Sequence, residues 1–166
     1  ASSSRRVLWS IGCNNEFGFE EAAVAHFDWI YVFDCTLPEH RYTLRTQPTP
    51  SERAQNVTEA HRLRIVQRLR AKMTFFPVCL AAANATHYVN RTQAREAGRR
   101  FETGQERRFG TYAELLALTG EARGPAFVKM DIEGWEWSVL HAMAGAVEQG
   151  GAAWPPHLRP MQIGFE

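Results

Sequence analysis

Two short apolar runs separated by one amphipathic stretch fix the start of this chain as a β-α-β unit. Val7-Leu8-Trp9-Ser10-Ile11 is compact and apolar, and the glycine-bearing turn Gly12 to Gly18 follows it at once. Phe19, Ala22, Ala23, Val24 and Phe27 then recur at helical spacing, which predicts a first helix over Phe19 to Phe27. Trp29-Ile30-Tyr31-Val32-Phe33 reads as a second buried strand, ending on Asp34. Such a unit belongs in a parallel sheet whose two faces are both covered.

The rest of the chain repeats the theme. Thr49-Pro50-Ser51-Glu52 has the residues of a capping box with proline at the first helical position, and a long helix is expected after it. Val57, Ala60, Leu63, Val66, Leu69 and Met73 supply its apolar stripe, while Arg62, Arg64, Arg68, Arg70 and Lys72 make its other side basic. Thr74 to Leu80 predicts a third strand, which Pro77 assigns to an edge or a bulge. His87 to Gly110 is polar, arginine-rich and aperiodic, as expected of an exposed loop or loose hairpin, a kind of segment that often serves as a lid. A second capping box, Thr111 with Glu114, opens a helix to about Leu118 that Gly120 can end. Ala126 to Met130 is the fourth strand, a helix runs to about Val147 before Gly150-Gly151, and Met161 to Phe165 is the fifth strand. The pattern is α/β: a doubly wound, mostly parallel sheet of about five strands, truncated on its C-terminal side.

At 166 residues, 45% hydrophobic and 22% charged, the chain suits a single domain over residues 1–166. The net charge of +1 gives no reason to expect a polyanionic partner. The local arginines invite a nucleic-acid reading, but aromatics are not interleaved with them and Glu96, Glu102 and Glu106 dilute the loop, so a solvated surface is the expectation. No run of about 18 apolar residues occurs, so no membrane contact is expected within the chain, an anchor outside it being a separate matter. Ala1 to Arg6 lacks an initiator methionine and enters a strand almost directly, as expected of a domain trimmed from a longer protein.

Cys13, Cys35 and Cys79 make neither a disulfide framework nor a zinc spacing, and read first as small apolar filler. They fall at the ends of the first three strands, and a Cys13–Cys35 bridge is the lesser alternative. The six histidines show no ligand spacing, and no metal site is expected. Asn56-Val57-Thr58, Asn84-Ala85-Thr86 and Asn90-Arg91-Thr92 are glycosylation sequons. They point to a secretory or Golgi lumen, with a cytoplasmic chain carrying coincidental motifs as the alternative.

Chemistry concentrates where the strands end. Phe127 to Met130 runs into Asp131, Glu133 and Gly134 at a strand's carboxyl end, where open α/β sheets place their ligand crevice. Gly12 lets a ligand approach the end of strand one, and Asp34, about twenty residues further on, stands where an acid commonly receives ribose hydroxyls. The first loop is not G-x-G-x-x-G: Asn14 replaces the second glycine and Glu16 adds a negative charge that would repel a pyrophosphate. S-adenosylmethionine carries no phosphate, and its ammonium and sulfonium charges would be drawn to Glu16 and Asp131. These acids favour it over a dinucleotide.

The segments Ser10 to Glu20, Val32 to Thr36 and Lys129 to Glu136, in that order, resemble the motifs of S-adenosylmethionine-dependent methyltransferases, in particular the methyltransferase-like domain family related to FkbM-type O-methyltransferases. The likeness runs from about Val7 to Glu166, with residues 38–72 and 87–110 as variable insertions. It implies a Rossmann-like fold with Gly12, Asn14, Asn15 and Glu16 against the methionine part, Asp34 on the ribose, Leu80 and Ala81 beside the adenine, and Asp131 facing the reactive centre. Ser10 stands where many methyltransferases carry an acid.

The expected activity is methyl transfer to a hydroxyl of a small molecule or sugar. Such a reaction is an in-line displacement, so the protein mainly aligns the acceptor and takes its proton. Asp131 is the first candidate base and Glu133 the second; the alternative for both is favourable charge in the first turn of the last helix. Glu136 is expected to be solvated or helix-pairing, and Trp135 and Trp137 to pack. The rival readings are an NAD(P)-dependent oxidoreductase, which would share Asp34 and the first β-α-β unit, and a catalytically degenerate binding module.

Overall fold

Val7–Ile11 (β1) is buried along its whole length, as a strand must be when both faces of its sheet are covered. Val7, Trp9 and Ile11 turn to one face and Leu8 and Ser10 to the other. The computed structural model describes residues 5–36, 42–82, 85–88, 106–132, 136–148 and 155–165. Within them the strands are β1, β2 (Trp29–Phe33), β3 (Met73–Phe76), β4 (Val78–Leu80), β5 (Ala85–Tyr88), β6 (Glu106–Gly110), β7 (Phe127–Met130) and β8 (Ile163–Phe165). The helices are α1 (Gly18–Ala23), α2 (Pro50–Ala54), α3 (Glu59–Lys72), α4 (Tyr112–Thr119) and α5 (Glu136–Glu148).

Five strands form a parallel sheet in the order β3-β2-β1-β7-β8, which is the doubly wound, Rossmann-like arrangement expected from the sequence. One apolar cluster joins Trp9, Ile11, Phe33 and Met130 to Leu115 of α4 and Val139 of α5. The other joins Leu8, Ile30 and Val32 to Ala23 of α1 and to Val66 and Leu69 of α3. The segment 38–72, expected as a variable insertion, thus supplies through α3 part of the cover on one face.

Several expectations are corrected in detail. Helix α1 stops at Ala23 rather than Phe27: His26 bonds back only three residues, to Ala23 (2.8 Å), Asp28 gives its amide to Arg6 (2.8 Å), and Lys72 takes up the free carbonyls of Val24 (3.2 Å) and Phe27 (2.9 Å). The expected single long helix after Thr49 is two helices. Thr49 and Glu52 form the predicted capping box, but Asn56 turns left-handed at φ 61° and Thr58 caps afresh, accepting the His61 amide at 3.2 Å. The basic face loses a member: Arg62 is buried against Glu21, with contacts of 2.6 Å from each terminal nitrogen. Of the expected apolar stripe, Val66, Leu69 and Met73 are buried whereas Leu63 is exposed.

Pro77 divides the predicted third strand. Its first half, β3, is the edge strand that proline suggested, and its second half, β4, leaves for a separate three-stranded sheet ordered β4-β6-β5. There β5 and β6 pair antiparallel, from Ala85 opposite Phe109 to Tyr88 opposite Glu106, so the arginine-rich segment begins and ends as a hairpin. The Thr111–Glu114 capping box and the left-handed Gly120 stop bound α4 as expected. Among the described residues no helix is long and apolar enough to cross a membrane, and no group of three or more His, Cys, Asp or Glu could hold a metal ion.

Candidate functional site

Strand register brings three of the expected residues together. Ile11 lies opposite both Phe33 and Met130, so Gly12, Asp34 and Asp131 leave the sheet side by side at its carboxyl rim. Gly12 donates its amide to Phe33 (3.0 Å), Asp34 to Phe76 (3.1 Å) and Asp131 to Ile11 (3.0 Å), which continues the ladder one residue past each strand. Asp34 and Asp131 therefore flank Gly12 on the same edge, two strand spacings or roughly 10 Å apart.

Gly12 has φ +77°, and a Cβ built there would meet the Asp131 carbonyl oxygen at 1.8 Å. The space that its missing side chain leaves is filled by the β7 backbone. Asn14 and Asn15 follow in the left-handed region, at φ 47° and 64°. Asp34, only 1% exposed, organises this loop from below. One carboxylate oxygen accepts the Asn14 amide at 2.6 Å and the Cys13 thiol at 3.5 Å. The other accepts the Thr36 amide at 2.7 Å and the Thr36 hydroxyl. Four donors fill the roughly four lone-pair sites of a carboxylate. Burial, reinforced by the Asp34 charge, pushes the Cys13 thiol far up, which keeps it a donor to that acid.

A second acid lies under the loop, at a place the sequence reading did not foresee. Ser10 hydrogen-bonds Glu20, a fully buried residue of α1 whose Oε2 has no hydrogen-bond partner among the described residues. Burial pushes the Glu20 carboxyl up; the Ser10 bond and the nearby Lys129 pull the other way. Lys129 is itself buried, donates to the Gly12 carbonyl at 3.2 Å and stands 3.6 Å from the Asp131 carboxylate. A helix residue thus places a carboxyl beside Ser10. The available signal was position: a lysine inside a strand covered on both faces must be buried and paired.

Asn15 and Glu16 are exposed and line a hollow of about 310 Å³ together with Phe17, Glu21, Thr43 and Arg45. Asn15 also fixes one wall by accepting the Thr43 amide at 2.7 Å. Asp34 and Asp131 do not line this hollow. The acids are divided, with Glu16 and Glu21 on the hollow and the Asp131 side chain, 38% exposed, on the rim. Glu133 lies outside the described residues. Glu136, expected to be solvated or helix-pairing, reaches back to accept the Ile132 amide at 2.9 Å.

The cysteine expectation is corrected. Cys35 and Cys79 form a disulfide with Cα atoms 4.9 Å apart, and only Cys13 is a buried free thiol, so the Cys13–Cys35 alternative fails. Sequence left the pairing open because Pro77 displaces Cys79 onto β4, away from the strand to which it was assigned. The bridge ties the residue after Asp34 to the residue before Leu80. Leu80 is buried in the core cluster, and Ala81 donates its amide to Gly110 at 2.9 Å. The expected ribose and adenine segments are therefore neighbours, joined covalently.

No protein-family model matches this sequence, and no curated protein sequence matches it. Among solved structures the chain is similar to the methyltransferase FkbM from Methylobacillus flagellatus KT, with a TM-score of 0.43 and 13% identity over 89% of this chain and 31% of that one. The chain thus spans about a third of that protein's length. The doubly wound assignment rests on strand order and register.

Proposed function

We propose that this domain binds S-adenosylmethionine and transfers its methyl group to a hydroxyl of a small molecule or carbohydrate. The observation that carries the reading is the acidic character of the first loop. Glu16 lines the hollow beside it, where Glu21 is already paired with Arg62 and Arg45 adds a cation, and no G-x-G-x-x-G cradle is present. The Glu16 carboxylate there favours a cationic nucleoside over a pyrophosphate. Of the residues assigned to that cofactor, Asn15 and Glu16 line the hollow, while Asp34 is buried with its lone pairs filled. Asn14, Asn15, Glu16 and Gly12 would hold its methionine part, Asp34 its ribose once the Thr36 hydroxyl yields its place, and the Leu80–Ala81 segment its adenine side.

When bound, the cofactor supplies a methyl already activated by a sulfonium. Asp131 is the proton acceptor in this reading, because its side chain reaches the exposed rim while Lys129 stands behind it. Glu133 is the second candidate. Calorimetry on the full-length protein, with S-adenosylmethionine and with NAD(P), tests the proposal. Binding of the former that Asp34→Ala abolishes, together with methyl transfer that Asp131→Ala suppresses, is the expected result. Nicotinamide binding with none for S-adenosylmethionine would establish the oxidoreductase reading, and no binding of either with salt-sensitive association to polyanions would establish a binding module.

A further inference from the structure

We infer that Asn56 is an N-glycan acceptor and that the chain folds in an oxidising secretory lumen. Two independent observations meet here. The first is local: Asn56-Val57-Thr58 is a complete sequon, and its asparagine sits at the exposed tip of the turn between α2 and α3. The turn is held by the backbone alone, Asn56 donating its amide to Arg53 at 2.9 Å and Val57 to Glu52 at 2.8 Å. The Asn56 side chain takes no part in those bonds. Its flanking residues Arg53, Ala54, Gln55, Glu59 and Ala60 are exposed too, so a bulky glycan displaces no packed contact.

The second observation is the Cys35–Cys79 disulfide, which closes 44 residues of chain around this very turn. Disulfides persist in oxidising compartments and are reduced in the cytosol. The endoplasmic reticulum lumen, one of those compartments, is also the one that holds the N-glycosylation machinery. The surviving thiol, Cys13, is buried and held protonated, and so is poorly placed to attack the bridge.

The reaction balances simply. The Asn56 side-chain nitrogen bonds to the anomeric carbon of an oligosaccharide carried on a polyisoprenyl diphosphate. The carbon–oxygen bond to the diphosphate breaks, the diphosphate leaves with the electron pair, and the amide loses one proton. The inference does not depend on the methyltransferase reading.

The test uses the full-length protein from cells expressing it with its own N-terminus. Peptide-N-glycosidase treatment in heavy-oxygen water, followed by trypsin, should convert Asn56 to labelled aspartate in the peptide spanning residues 54–62. Asn56→Gln should remove one glycan from the intact mass, while Asn84→Gln and Asn90→Gln leave that glycan in place. Thiol labelling under denaturing conditions, read on the peptides that carry Cys13, Cys35 and Cys79, should find Cys13 alone reactive before reduction and all three after. An unlabelled Asn56 in a peptide recovered from disulfide-bonded protein overturns the acceptor assignment. Free thiols at both Cys35 and Cys79 in the isolated protein overturn the compartment.

Discussion

Gly12→Ala tests whether the rim is packed by backbone on backbone. Two costs fall on this position and can be separated using other glycines. The left-handed φ of +77° costs an alanine about 1–2 kcal/mol. The Cβ would also lie 1.8 Å from the Asp131 carbonyl oxygen, which only movement of a strand end can relieve. Overpacking of this kind costs about 1–3 kcal/mol. Spreading the rim also strains the Asp131–Ile11 and Lys129–Gly12 hydrogen bonds, each worth about 1 kcal/mol. With both bonds lost the sum is about 4–7 kcal/mol, or roughly 8–28 °C in Tm for a chain of this size. Gly120→Ala has the left-handed φ, +65°, but nothing within 4 Å, and should lose only about 1–2 kcal/mol. Gly18→Ala has neither problem and, at the start of α1, should stabilise by about 0.4–1 kcal/mol. Urea denaturation of the three variants gives the ranking. A Gly12→Ala loss no larger than that of Gly120→Ala would refute the close approach of β7.

Three further outcomes follow from the same geometry. Opening the Cys35–Cys79 bridge, by reduction or by a double alanine variant, releases a 44-residue loop and should cost about 4 kcal/mol on the chain-entropy scale; an unchanged urea midpoint would count against the bridge. Glu20 has its carboxyl raised above 4.5 by burial, so the native state holds a proton that the unfolded chain releases. Stability on its account is complete below about pH 4.5 and declines as pH rises through the native value, and Glu20→Gln should remove that decline in a pH series of denaturation curves. Glu21→Ala leaves the Arg62 guanidinium buried with only the Arg45 carbonyl and the more distant Glu52 as partners, and should destabilise by about 2–4 kcal/mol. Arg62→Met should cost less, because no buried cation remains, and the opposite ranking in thermal melts would contradict the buried-pair account.

Much of the frame was written in local patterns. The alternation of apolar runs and helical stripes, the Thr49 and Thr111 caps and the proline at position 77 each act through neighbouring residues, and each was readable in the chain. What escaped were effects set by distant partners. Arg62 looked like surface charge because its stripe gave no hint of Glu21, 41 residues away. Lys129 and Glu20 are ionisable groups in apolar surroundings, and only the crossing of α1 over β1 explains why burial is tolerable. Gly12 was expected to admit a ligand, and the approach it permits in the structure is that of a neighbouring strand. Cys79 was misassigned because a proline moved it from one sheet to another.

That change of sheet at Pro77 gives the molecule a joint. The polypeptide passes from the large sheet to the small one within a single residue, and the sulfur bridge then fastens the far side of the joint to the turn that follows Asp34. A tilt of the small sheet would consequently pull on Asp34 through a covalent lever, and the loop amide and thiol that Asp34 holds would feel it next. Amide exchange at Asn14 and Thr36 offers a readout for forces applied at the arginine-bearing hairpin.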